Sequence, residues 1–257
     1  MNRSPILVGY YTMVRKDFVR IVRIWSQTLL PPVITMSLYF AIFGKFIGSQ
    51  VRAVGGVEYI QFIVPGLVMM SIITSAYMNT VSTFYFAKWQ RTIDELLVSP
   101  MPLWTIIAGY VTGGLVRAGL VAVLVTGVSL FFTHLAIHNL LILFLAAFLT
   151  ALIFALMGLV NGIYAKSFDA ISIVPTFVLT PLTYLGGIFY SIDQLPGIWR
   201  TLSLFNPILY MVNAFRFGFL GISDVPLERC FGVMGGLVIV FFGLTLYLFT
   251  KGTGLKK

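Results

Sequence analysis

From residue 140 to residue 165 the chain carries no charged side chain, and nearly all positions are Leu, Ile, Phe, Ala, Val or Gly. At ~1.5 Å rise per residue, a helix of about 20 apolar residues crosses the ~30 Å hydrocarbon core of a bilayer. Five further segments read the same way, giving six spans at about 28–48, 60–87, 104–132, 140–165, 170–190 and 230–250. With 59% hydrophobic and 10% charged residues, what remains is too little and too apolar for a soluble domain. The expected fold is all-α integral membrane, with a transmembrane domain over 28–257 preceded by a cytoplasmic segment, 1–27.

In that leading segment Val14, Phe18, Ile21 and Trp25 recur at helical spacing, and Lys16, Arg20, Arg23 and Gln27 follow the same rhythm ~200° away. The pattern predicts a basic amphipathic helix in the inner membrane interface. Trp25 would sit at headgroup depth, with the cations facing anionic lipid or a cytoplasmic partner. The basic cluster follows a short apolar stretch instead of preceding it, so the segment is expected to stay in the mature chain.

The net charge of +9 matters through its distribution. With the N-terminus inside, Arg3, Arg15, Lys16, Arg20, Arg23, Lys88, Arg91, Lys166, Lys251, Lys256 and Lys257 are cytoplasmic. Lys45, Arg52, Arg200, Arg216 and Arg229 then lie outside. Eleven against five predicts that both termini are cytoplasmic. Arg117 belongs to neither set, because it falls about 13 residues into the third span, ~20 Å deep. A charge there costs at least ~2.5 kcal/mol unless it is solvated or paired. Carbonyls, waters in a cavity, an anionic cargo group or a structural tie could each supply the partner, and the expected role of Arg117 is to line a translocation path.

Between the fifth and sixth spans, residues 180–221 are too broken for a simple span and too apolar for an ordinary loop. Gly186 and Gly187 weaken helix, while Pro196 and Pro207 suit helix starts, which predicts two short helices on or in the outer leaflet. Irregular backbone at that depth survives only against protein or a wet cavity. Gly109 with Gly113, and Gly158 with Gly162, are small-xxx-small pairs suited to close helix contact.

Enzyme chemistry finds little purchase. The chain has no G-x-x-x-x-G-K-[ST] loop, no G-x-S-x-G elbow and no H-E-x-x-H. His134 and His138 have helical chelating spacing but no third ligand nearby, and read as solvated loop residues. The single Cys230 excludes an intrachain disulfide. No carboxylate falls in mid-span, which counts against a proton- or cation-coupled carrier.

One cytoplasmic stretch stands apart, WQRTIDELLVSP at 89–100. Ile93, Leu96 and Leu97 make a small apolar face, and Arg91 pairs at i, i+4 with Glu95 beside Asp94. Two turns of helix are marginal alone in water, so a docked protein partner is expected to bury that face.

Together with FIVPGL at 62–67, PLTYLGGIFYSIDQLP and LFNPILYMVNAFR, this stretch resembles the ABC-2 type transporter permeases over nearly the whole chain. The resemblance makes Arg91, Ile93, Asp94, Glu95, Leu96 and Leu97 a coupling helix for a separate ATPase subunit. Pro181, Gly186, Gly187, Leu195, Pro196, Asn206 and Pro207 fall in the family's C-terminal signature. It further implies an exporter in a bacterial inner membrane, built from two permease chains and two ATPase chains. ATP and Mg would then bind the ATPases and no cofactor would bind this chain. Membrane lipids are expected partners and nucleic acid is not. The residues alone leave open a secondary carrier or channel, or a membrane lipid enzyme. They do not choose among amphiphile, lipid, drug and lipid-linked glycan as cargo.

Overall fold

A computed structural model describes residues 5–48, 54, 56–252 and 254. Arg3, Arg52, Lys256 and Lys257, which entered the charge count, lie outside the described residues. Apart from one isolated bridge between Val54 and Val57, the regular structure described is helical.

Helix α1, Pro5–Arg23, ends where Ile24 leaves helical geometry (φ −109°, ψ 37°), and α2, Trp25–Gly44, continues in a new direction. Next come α3, Tyr59–Trp89, the short α4, Thr92–Val98, then α5, Leu103–Ser129, and α6, Leu140–Tyr164. Helices α2, α3, α5 and α6, with the last helix α10, Leu227–Lys251, are each long and apolar enough to cross a membrane. The expected fifth span at 170–190 is instead a shorter apolar helix, α7, Phe168–Tyr184. Its Pro175 and Pro181 cannot donate backbone hydrogen bonds, the turns from Pro175 to Leu179 widen to π geometry, and the helix stops before Gly186 and Gly187. Two short helices follow, α8, Gly197–Phe205, and α9, Pro207–Leu220.

Helix α3 is the centre of the molecule: 78% of its most apolar window is buried within the chain, against 17% for α2 and for α10. It packs on α5, α6 and α9. Close approach depends on Gly158 and Gly162 of α6. A Cβ at Gly158 would come within 2.8 Å of the Tyr77 carbonyl oxygen, and one at Gly162 within 2.9 Å of the Phe84 ring. On α5, Gly109 and Gly113 play the same part for another partner, Met13 and Asp17 of α1.

Candidate functional site

The turn from α3 into α4 is made by Arg91, whose backbone is left-handed (φ 61°) and whose side chain is exposed. Asp94 and Glu95 also face outward, and Val98 is 86% exposed. The apolar face expected to await a partner is already covered. Ile93 is buried in a cluster with Phe84, Ala87, Ile106, Ile107 and Tyr110, and Leu96 and Leu97 pack against that same cluster. The short helix is thus held by its own chain, through the adjoining ends of α3 and α5, with Leu96 and Leu97 half-buried and its charged edge and Val98 exposed.

Helix α1 departs further from expectation. Of its apolar series, Ile21 is fully buried, but Phe18 is exposed, as is Trp25 beyond the break. The residue at the centre of the packed face is Asp17, the one buried carboxylate among the described residues. It accepts from Nε and Nη2 of Arg20, at 2.9 and 2.7 Å, and from Nδ2 of Asn79, at 2.9 Å. Arg20 Nη2 reaches on to Asn79 Oδ1 and Thr83 Oγ1, both at 2.8 Å. Arg20 therefore turns into the protein, while Lys16 and Arg23 remain exposed. The reason is local: a carboxylate packed against α3 and α5 must be paired, and Arg20 lies one turn away. Nearby, the hydroxyls of Tyr10 and Thr112 meet at 2.9 Å.

Arg117 finds its partner in the same region. Its Nη2 donates to the Thr28 carbonyl at 3.1 Å, in the last turn before Leu29, while its Nε is buried without a partner. The side chain ties the α1–α2 junction to α5.

On the far side of the molecule the broken element after α7 is organised by polar side chains, of which the sequence singled out only Asn206. Arg216 of α9, counted there as an outer-loop cation, is 1% exposed. Its Nη2 donates to the Gly187 carbonyl at 2.6 Å and its Nε to the Phe62 carbonyl at 3.3 Å, and its guanidinium lies 3.8 Å from the centre of the Phe62 ring. Gly187 takes a left-handed backbone (φ 70°) that few other residues adopt without strain. Of the remaining signature residues, Pro196 precedes α8 and Pro207 opens α9, Leu195 is half-buried, Gly186 is buried, and Pro181 is exposed. Asn206 caps α9 by accepting from Ile208 N and donates to the Leu182 carbonyl at 2.6 Å. Asn213 accepts from Asp224 N at 2.8 Å, and Asp224 accepts from Ser191 Oγ at 2.8 Å and Ile192 N at 3.1 Å. Both His134 and His138 are exposed, the latter edge-on to Phe217.

Asp17 had a readable signal, since the only acid of α1 lies at i−4 from Ile21 and at i+3 from Val14. Arg216 had one too, as the sole charge in an otherwise apolar helix.

Comparison with known proteins accords with this arrangement. The chain is 55% identical to the inner membrane transport permease YadH of Escherichia coli (strain K12) over 242 residues, covering 94% of each chain. It is 26% identical over 238 residues to nodulation protein J of Rhizobium leguminosarum bv. trifolii, covering 92% of this chain and 91% of that one. The ABC-2 type transporter family pattern matches residues 9–220, which take in α1, the short α4 and the broken element through α9. The chain belongs to the ABC-2 type transporter family.

Proposed function

We propose that this chain is the permease subunit of an ATP-driven exporter in a bacterial inner membrane. Two copies would work with two separate ATPase subunits that bind ATP and Mg, and the cargo would be an amphiphile such as a lipid, a drug or a lipid-linked glycan. The observation that carries the reading is α4: a two-turn helix slung between two spans, fixed from behind by Ile93 and presenting Asp94, Glu95 and Val98 outward. A lever for a docked motor needs that combination, rigid toward its own spans and free on the other side. The names of the relatives, a transport permease of the inner membrane above all, support it. Asp17 does not revive a proton-coupled carrier, because Arg20 and Asn79 already engage it.

The test follows from the packing. Asp94→Lys with Glu95→Lys reverses the exposed edge without touching Ile93, so membrane insertion and thermal stability should be unchanged while co-purification of an ATPase falls at least tenfold. Retained ATPase with the double variant would remove α4 as the coupling element. Leu96→Asp with Leu97→Asp is the weaker test, since those side chains support the chain's own fold.

In the same reading α7 is the fifth of six spans, α8 and α9 sit in the outer leaflet, α1 lies at the inner interface, and both ends are cytoplasmic. Thiol labelling from either side, in a Cys230→Ser background, should reach a cysteine at His138 from outside and one at Glu95 from inside. The reverse pattern would invert every side assignment.

A further inference from the structure

Viewed down its axis at ~100° per residue, α1 divides into three stripes. Met13, Asp17 and Ile21 face α5 and α3. Leu7, Tyr11, Phe18 and Val22 make a second stripe about 60° wide, exposed along the whole helix, with Trp25 exposed just past the break. The third stripe is a groove of about 550 Å³ lined by Thr12, Arg15, Lys16, Val19, Arg20, Arg23 and Ile24. Arg20 is drawn to Asp17, but Arg15, Lys16 and Arg23 are exposed and make no described ion pair or hydrogen bond. Three free cations over about two and a half turns repel one another, and among the described residues no carboxylate lines the groove to relieve them.

From this arrangement we infer that the groove holds the phosphate of an inner-leaflet anionic phospholipid, whose acyl chains lie along the neighbouring apolar stripe. The inference rests on the interfacial placement of α1 proposed above. A lipid, not a protein, is the occupant because the two stripes adjoin: a headgroup on the cations leaves the acyl chains beside four large apolar side chains that stay exposed among the described residues. The forks of Arg15 and Arg23 are suited to phosphate oxygens, whereas the Thr12 hydroxyl is already donated to the Val8 carbonyl at 2.7 Å. The pinned Arg20 fixes the groove's edge, so the site is tied to the span bundle through Asp17 and Asn79.

The full-length chain, purified in detergent, is titrated with phosphatidylglycerol and with phosphatidylcholine and the bound lipid is counted by native mass spectrometry. Phosphatidylglycerol should be retained preferentially. Arg15→Ala, Lys16→Ala and Arg23→Ala together should weaken its binding by about fivefold per cation at low salt, with unfolding temperature in phosphatidylcholine unchanged. Equal retention of both lipids, or full retention of phosphatidylglycerol by the triple variant, overturns the inference. So does displacement by millimolar inorganic phosphate, which would mark a free-anion site, and so does a triple variant that keeps the lipid but loses an ATPase, which would mark an acidic protein surface as the occupant. A variant with Trp25 as its only tryptophan separates this from the underlying reading. Quenching by brominated acyl chains without lipid preference removes the headgroup site alone, whereas no quenching removes the interfacial placement as well.

Discussion

Replacing Arg216 by alanine should lower the stability of the folded chain by about 2–4 kcal/mol, an effect near the top of the range for single substitutions. The arginine is fully enclosed, so alanine leaves a cavity and strips the Gly187 carbonyl of the side-chain donor described for it. Against that stands relief, because an unpaired buried charge is itself costly. Two charge-assisted bonds to carbonyls and the face of Phe62 offset that cost in the native protein, each worth about 1.5–3 kcal/mol. Arg216→Met separates the terms: it refills most of the volume without restoring the donors, and should recover part of the loss. Arg216→Lys should recover little, because a compact ammonium cannot fork between Phe62 and Gly187 while lying on the ring. Thermal unfolding in detergent gives the ranking, and hydrogen exchange around Gly187 should rise first. A lysine variant as stable as the native chain would show that charge alone suffices and would refute the forked geometry.

The case of Arg216 also shows where sequence reading stops. Long apolar runs gave five of the expected spans to within about four residues, because length and hydrophobicity answer directly to bilayer thickness. The short α4 was legible from its prolines and its charged register, and the two helices after Gly187 from Pro196 and Pro207. What periodicity could not reveal was which neighbour a face meets. The apolar stripe read on α1 straddles two surfaces, so Ile21 turned inward and Phe18 outward, and Ile93 of α4 is buried against its own chain. Charge counting is likewise blind to pairing. It treats Arg216 and Arg20 as free cations, whereas a carbonyl exposed by a distant glycine claims one and a carboxylate three residues away claims the other.

That second pairing supports a sharper expectation. Asp17→Asn should cost about 2–3 kcal/mol, nearly as much as Asp17→Ala, although it keeps the shape. With an amide at position 17, whichever way it is turned, one of its hydrogens faces Arg20 or the Asn79 amide nitrogen, both of them donors. The partial exposure of Arg20 keeps the figure below that of a fully enclosed pair, since the stranded cation can reach water. Exchanging the two groups, Asp17→Asn with Asn79→Asp, puts a carboxylate back where Asn79 Oδ1 already accepts from Arg20, with an amide opposite it, and should restore at least half of the loss. Asn79→Asp alone sets two carboxylates side by side and should be the worst of the series. Arg117→Ala, which removes a single bond to the Thr28 carbonyl, should cost only about 1 kcal/mol and should loosen the α1–α2 junction to proteolysis without selectively lowering cargo-stimulated ATP hydrolysis. A selective fall would return Arg117 to the translocation path. Failure of the exchange to rescue would mean that Asp17 is held by packing around Gly113 and not by its donors, and α1 would then be fastened to the spans by shape instead of charge.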